Sequence, residues 1–231
     1  MSTIYCEFIK TQREARGISQ SLMAEKLQIS RPSYVAVEKG TKELSLSEAE
    51  RLSRVFGISV DELLRAEAPN YKKYKQMILA YLREAKKDGG DLKKTKLAKL
   101  LYLADFAWFY DHLESMSGME YKKMQFGPVP SDFFRAMEEL EEEGAIRVKH
   151  EQNSGKDMYA ISEARGSAKR ELDELGTKEL NLVGKIWGNW KGANTQEIVD
   201  FTHEQLPYKL AFDGEVVSYP LITQLSPEDV Y

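Results

Sequence analysis

Cysteine and histidine, the residues of disulfide frameworks and many metal centres, are scarce in this sequence of 231 residues. Its one cysteine, Cys6, cannot form an intrachain disulfide, and we interpret it as a small buried or half-buried residue of the first helix. The three histidines, His112, His150 and His203, lack a metal-ligand spacing with one another or with Cys6. We therefore expect no metal, no cofactor and a reducing, cytoplasmic environment.

Long apolar segments and catalytic signatures are also absent. No apolar run at the N-terminus resembles a signal peptide, and no stretch approaches the ~18 apolar residues of a membrane-spanning helix. Neither a GxSxG motif nor a phosphate-binding loop occurs, and the carboxylates at 138–143 belong to a predicted solvent-facing helix surface. For Asp105, a structural hydrogen bond is a better interpretation than catalysis. These features predict a cytoplasmic protein that is not an enzyme and has no membrane partner.

Positive charge is in slight deficit, since 33 Lys and Arg face 37 Asp and Glu. Residues 1–66 contain 10 basic and 9 acidic side chains, a net charge of +1. The remaining 165 residues contain 23 basic and 28 acidic side chains, a net charge of −5. The acidic part suits a basic protein partner, and the nearly neutral first part would release few counterions from DNA.

What is present begins with the stretch 19–40, which predicts two short helices joined by a tight turn. Ser19 is a good N-cap for the first helix, and Ser30 caps the second, with Pro32 in its first turn. Gln28 and Ile29 form the turn. The residues predicted to face inward are Leu22, Met23, Ala24, Leu27, Tyr34 and Val37.

Further helices flank this pair on both sides. A helix over 4–16 ends at Gly17, and the capping box at 45–48 opens another that ends at Gly57. A second capping box at 59–62 precedes Leu63 and Leu64. The pattern predicts five short helices within residues 1–66.

This arrangement resembles the helix-turn-helix domain of the Xre/Cro repressor family. The resemblance implies an ion pair between Arg13 of the first helix and Glu38 at the end of the recognition helix. Gln28 stands where the family usually has glycine, and a left-handed conformation there would cost about 1 kcal/mol.

The resemblance places the second helix of the pair in the DNA major groove. Arg31 is the only long hydrogen-bond donor on its outward face, so we expect it to read a guanine edge. Apolar side chains nearby suit thymine methyl groups, and the start of the first helix suits phosphates. The predicted DNA-binding residues are Ser19, Gln20, Ser30, Arg31, Pro32, Ser33, Val35, Ala36, Lys39 and Lys42.

A short linker at 67–70 separates this domain from a second one, 71–231. Helical periodicity covers 71–87 and 92–113, and the second of these helices is apolar nearly all round, as expected of a central buried helix. Its lysines cluster at the N-terminal end. We interpret them as a solvated helix end rather than a nucleic-acid patch; they are Lys93, Lys94, Lys96 and Lys99.

Mixed structure is predicted for the rest of the second domain. An extended run at 119–126 leads into a rigid extended turn at 127–130, with Phe126 and Val129 packed under it, and Ser131 caps the next helix. The remaining predicted elements are a hairpin from 146–148 and 158–161, helices at 163–175, 178–190 and 195–205, and a helical turn at 226–229.

The motifs KLLYLAD at 99–105 and MQFGPVP at 124–130 resemble the Panacea, or SocA-like, antitoxin domain. The segment 202–208 fits the late helix and turn of the same family, and there we expect His203 to be packed and hydrogen-bonded beside Tyr208. The resemblance covers about 71–225 and implies a mainly α protein: a five-helix helix-turn-helix domain followed by a mostly helical domain with a small β-hairpin.

Members of that family serve as antitoxins, often with an added DNA-binding domain, and a minority deliver a partner to a protease. The resemblance therefore implies an antitoxin that binds operator DNA and a cognate protein toxin, as a homodimer or higher oligomer. The alternative is a transcriptional regulator or proteolytic adaptor with another protein partner. Residues near the motifs are the candidates for toxin contact: Tyr102, Phe109, Tyr110, Met124, Gln125, Phe126 and Gly127.

Overall fold

Two separate hydrophobic cores form in this chain, in the units Met1–Ala68 and Pro69–Tyr231. The structure is a computed structural model that describes residues 3–60, 63, 69–153, 156–167 and 170–231. Within these ranges, no helix has the combination of length and apolar character needed to cross a membrane.

The first unit is built from short helices: α1 (Thr3–Ala15), α2 (Gln20–Leu27), α3 (Arg31–Glu38) and α4 (Leu46–Phe56). The predicted fifth helix and its capping box at 59–62 lie largely outside the described residues, although Leu63 is buried in this core. The helix-turn-helix prediction is confirmed, with one correction. Leu22 is 44% exposed, because the buried stripe of α2 consists of Met23, Ala24 and Leu27.

Local hydrogen bonds explain where these helices begin and end. Ser19 Oγ accepts from the Leu22 backbone N–H, and Ser30 Oγ accepts from that of Ser33, so both predicted N-caps are present. The capping box from Ser45 to Glu48 is complete. Gln28, which stands where the family usually has glycine, adopts the left-handed conformation with φ of 58°.

The second unit is organised around one long buried helix. The helices are α5 (Tyr71–Lys87), α6 (Lys94–His112), α7 (Phe133–Glu142), α8 (Thr177–Trp190), α9 (Thr195–Glu204) and α10 (Leu206–Leu210), followed by 3-10 turns at Tyr219–Gln224 and Pro227–Asp229. Helix α6 contributes most of its side chains to the core, in agreement with its all-round apolar pattern. The mainly α prediction is confirmed.

Two small antiparallel sheets complete this unit. Strands β2 (Tyr121–Met124) and β3 (Gly127–Pro130) form a hairpin, while β1 (Leu92–Lys93), β5 (Lys156–Glu163) and β4 (Ile146–Asn153) pair in the order β1-β5-β4. Residues 127–130 are therefore a paired strand rather than the predicted rigid turn, because their backbone joins the ladder of β2. The turn consists of Gln125 and Phe126.

Three further predictions for this unit are wrong. Ser131 makes no cap hydrogen bond, since α7 begins at Phe133 with Asp132 in the cap position. The described part of 163–175 is not an α-helix, because β5 continues to Glu163 and a turn follows. The lysines at the start of α6 are not all solvated: Lys96 and Lys99 are buried.

Candidate functional sites

Helix α3 presents the candidate DNA-reading surface of the first unit. Arg31 and Pro32 are exposed at its N-terminus, and Ser33, Val35 and Ala36 are half-buried along the same helix. Tyr34 and Val37 are buried and hold the helix against the core. The outward face thus carries one guanidinium among small and apolar side chains, as predicted.

A buried ion pair fixes the orientation of α3. Arg13 Nε donates to Glu38 Oε1 at 2.6 Å, and Arg13 Nη1 donates to the Ile18 carbonyl at 2.9 Å. Gln20 Nε2 donates to the other Glu38 oxygen at 2.8 Å. Burial raises the pKa of Glu38, but the hydrogen bonds from Arg13 and Gln20 outweigh it, and the net shift is downward. The predicted pair therefore ties α1, α2 and α3 together.

The other candidate DNA-contact residues differ in whether their side chains are already hydrogen-bonded within the protein. Ser19 Oγ acts as a cap acceptor, so its hydroxyl retains a proton to donate, whereas Ser30 Oγ is both a cap acceptor and hydrogen-bonded to Ser33 Oγ at 2.8 Å. The Gln20 side chain is engaged by Glu38, and Lys42 Nζ pairs with Glu48 at 2.7 Å. Lys39 is exposed. Ser19 and Lys39 are the least engaged of these residues.

An open apolar groove of about 650 Å³ lies beside the β2–β3 hairpin in the second unit. It runs between that hairpin, the N-terminal turns of α6, the start of α7 and strand β5. The residues that line it are Lys94, Thr95, Ala98, Lys99, Lys122, Met124, Gln125, Phe126, Val129, Pro130, Ser131, Phe133, Phe134, Asp157 and Tyr159. Phe126 is 64% exposed, and Met124, Phe134 and Tyr159 are also exposed. Monomeric proteins rarely expose so many large apolar side chains in one patch, and such patches often mark binding sites.

The candidate toxin-binding residues divide between this groove and the core. Met124, Gln125 and Phe126 are exposed at the tip of the hairpin, which contradicts our expectation that Phe126 packs beneath it. Tyr102 and Phe109 are buried in the core and offer no surface to a partner. The remaining two differ: Tyr110 is half-buried, and Gly127 is buried.

Sequence reasoning missed the far wall of the groove. Lys94 Nζ lies 4.7 Å from the centre of the Phe134 ring and 5.4 Å from that of Tyr159, so it bridges α7 and β5 by cation–π contacts. These residues come from three separate segments. A helix-start lysine and a phenylalanine on the polar side of α7 are the only sequence signals that point to them.

Gly127 and Lys99 meet beneath the hairpin. Gly127 has φ of +93°, and a Cβ atom built there would lie 2.8 Å from Lys99 Cε and 3.1 Å from Thr202 Oγ1. Lys99 Nζ donates to the Pro128 carbonyl at 2.8 Å. The GPV motif is therefore the point where the hairpin backbone crosses α6, and only glycine suits both the φ angle and the space.

Asp105 accepts three hydrogen bonds in the core of the second unit. The donors are the Ser117 backbone N–H and hydroxyl, each at 2.6 Å, and the Tyr121 hydroxyl at 2.7 Å. Burial raises the pKa of Asp105 to about 6, although these hydrogen bonds oppose the rise. The geometry supports the structural interpretation of Asp105, since it joins α6 to β2 and the preceding loop.

His203 is packed as expected but lacks the expected hydrogen bond at one nitrogen. Its ring stacks on Tyr208 with centroids 4.3 Å apart, while its buried Nε2 has no partner in the described part of the chain. Burial, with a contribution from the nearby Lys99 charge, lowers the pKa of His203. Tyr208 in turn donates to the Met124 carbonyl at 2.9 Å and supports the hairpin.

Comparisons with known proteins agree with this geometry. Residues 97–208 match the family model "Antitoxin SocA-like, Panacea domain", and residues 9–63 match a helix-turn-helix model. The chain is 34% identical over 65 residues to the "Uncharacterized HTH-type transcriptional regulator YqaE" of Bacillus subtilis (strain 168). That match covers 28% of this chain and 56% of the relative, so the chain spans about half the length of that protein. No solved structure matches.

Together the two matches support an antitoxin or transcription regulator. More particularly, residues 9–63 are similar to a helix-turn-helix domain, and residues 97–208 are similar to the SocA-like Panacea domain.

Proposed function

We propose that this protein is the antitoxin of a toxin–antitoxin pair. Its unit Pro69–Tyr231 binds and neutralises a protein toxin, and its helix-turn-helix represses the operon that encodes both. One observation carries the proposal: a Panacea domain exposes an apolar groove next to its GPV motif. The domain limits that we propose are 1–66 and 71–231, with 67–70 as the linker.

The DNA-binding part rests on the exposed N-terminus of α3. Arg31 reads a guanine edge, and Pro32, Val35 and Ala36 contact thymine methyl groups. The first 66 residues carry a net charge of only +1, so we infer that two copies act together on a symmetric operator.

Substitution of Arg31 tests the reading helix. In a gel-shift titration with the DNA upstream of its own gene, Arg31→Ala should weaken binding by about 1–3 kcal/mol. Arg54→Ala removes another exposed guanidinium, from α4, and serves as the charge-matched control. Equal losses for both variants would mean that Arg31 contributes charge without reading a base.

The toxin-binding part rests on the groove. Large exposed aromatic side chains are the usual anchors of protein interfaces, and Phe126 and Phe134 stand on opposite walls of this one. Both belong to short local structures, a two-residue turn and the first turn of α7, so substitution there should leave the core intact.

Co-expression with the small neighbouring gene tests this part. The full-length protein should rescue cells from that gene's product, whereas Phe126→Asp and Phe134→Asp should fail while still binding DNA. Leu113→Asp is the matched control, because Leu113 is 67% exposed at the far end of α6, about 28 Å along a helix of 19 residues. Full rescue by both groove variants would exclude the groove as the toxin-binding surface, and a neighbouring gene without toxicity would favour a regulator or adaptor.

A further inference from the structure

The floor of the groove contains a buried cation without a counter-ion. Lys99 has no exposed surface, and its ammonium group makes one hydrogen bond, to the Pro128 carbonyl. Across the described ranges, no carboxylate pairs with it. An ammonium group can donate three hydrogen bonds, so two of its N–H groups lack a protein acceptor in this arrangement.

Other buried charges in the same unit are better satisfied. Lys96 donates to the carbonyls of Lys191 and Ala193 and lies over the Trp187 ring. Asp105 accepts hydrogen bonds from Ser117 and Tyr121. Lys99 is therefore the exception, and it is the one that lines the groove.

The charges around the groove favour an acidic group. Three lysines line it, Lys94, Lys99 and Lys122, against one carboxylate, Asp157, and that carboxylate accepts from His150 at 2.9 Å. The groove is thus locally basic although residues 67–231 carry a net charge of −5. Burial lowers the pKa of Lys99 to about 7, and a carboxylate beside it would favour the charged form again.

We propose that Lys99 anchors an acidic side chain, Asp or Glu, in an apolar segment of the protein partner. This inference rests on the proposed function insofar as the partner binds in the groove. The flexible stem of Lys99 lets the ammonium turn from the Pro128 carbonyl toward the groove, exchanging one hydrogen bond for an ion pair. Exposed apolar side chains on both walls, Phe126 and Phe134 among them, contact the partner residues before and after the acidic one.

The test uses peptides in place of the toxin, so it is independent of neutralisation. The probes are acetylated, C-terminally amidated pentapeptides with randomised apolar residues around a central Glu or Gln, and a third set with Gln and a free terminal carboxylate. Binding to the full-length protein is followed by the NMR shifts of the Met124 methyl group. We expect the Glu set to bind at least tenfold more tightly than the Gln set.

Variants assign that preference to one lysine. Lys99→Met should reduce the Glu-to-Gln ratio to near one, whereas Lys94→Met, a matched change on the groove wall, should leave it above five. In case Lys99→Met does not fold, the shift of the Lys99 ε-methylene signal in the parent protein gives the same information, since the Glu set should move it and the Gln set should not.

Several results would overturn the proposal. Equal binding of the Glu and Gln sets, or no binding of either, would exclude an acidic anchor in this groove. A ratio that survives Lys99→Met or disappears with Lys94→Met would assign the anchor elsewhere. If the set with a free terminal carboxylate bound more tightly than the Glu set, Lys99 would be assigned to binding a C-terminal carboxylate and not an acidic side chain. If the co-expression experiment gave no rescue but the peptide results were as expected, the proposed toxin neutralisation would be wrong, whereas the proposed role of Lys99 in binding an acidic side chain would stand.

Discussion

The two units of this protein bury positive charge in opposite ways. In the first unit, the Arg13 and Glu38 side chains are 9% and 4% exposed and neutralise each other at 2.6 Å. In the second, Lys99 is fully buried with one backbone carbonyl as its acceptor. A paired buried charge can hold helices in register, whereas an unpaired one lowers stability. The contrast indicates a structural role for the first cation, and it is consistent with the binding role that we propose for the second.

Breaking the ion pair of the first unit should have the largest effect. Glu38→Gln leaves Arg13 charged and buried, so the first unit should lose about 3 kcal/mol of unfolding free energy. Calorimetry of the full-length protein measures this loss. Glu14→Gln is the control, because Glu14 contacts the same guanidinium but is 54% exposed, and it should cost well under 1 kcal/mol. Similar losses for both variants would mean that the Arg13–Glu38 pair is not special.

Gly127→Val should have the next largest effect, in the second unit. A β-branched residue at φ of +93° is strained, and its Cβ would meet Lys99 and Thr202, so we expect a loss of about 2–3 kcal/mol. Gly144→Ala separates backbone strain from steric overlap, because Gly144 has φ of +64° but no atom within 4 Å of an added Cβ. This control should cost about 1 kcal/mol. A thermal melt of the tryptophan signal reports this unit. A melt unchanged in Gly127→Val would show that the hairpin backbone adapts freely.

Lys99→Met should stabilise the second unit by about 1–2 kcal/mol at pH 7, because it removes an unpaired buried cation. The folded-state pKa of Lys99, about 7, is below its ordinary value of 10.5. Between these pH values the unfolded chain binds more protons, so parental stability should rise as the pH increases from 7 to 9.5. Lys99→Met should remove that rise and Lys94→Met should not, as urea titrations at each pH would show. Parallel curves for the parent and Lys99→Met would contradict the lowered pKa.

The smallest effects should come from two non-glycine residues with a left-handed backbone conformation, one in each unit. Gln28 and Leu113 have φ of 58° and 59°, and glycine adopts this conformation without a steric penalty. Gln28→Gly and Leu113→Gly should each stabilise their own unit by about 0.5–1 kcal/mol in calorimetry. Destabilisation by either glycine would indicate that the side chain, despite its strained backbone, makes a contact that offsets the strain.

Local signals in the sequence determined much of the fold. The caps at Ser19, Ser30 and Ser45 lie where predicted, and helix α5 has the predicted limits of 71–87. The Arg13–Glu38 pair is also as the family resemblance implied. Caps and helical periodicity involve residues a few positions apart, so they can be read without knowledge of the fold.

The formation of the groove and the burial of Lys99 depend on tertiary structure alone. A lysine near a helix start is normally solvated, but Lys99 is buried where the hairpin at 127–130 crosses above it. Likewise, Tyr159 and Phe134 become neighbours of Lys94 through the packing of β5 and α7. These contacts join residues tens of positions apart, and neither periodicity nor capping contains that information. The sequence by itself thus determined most of the helices and the caps at Ser19, Ser30 and Ser45. Long-range packing determined which charged side chains are buried away from water.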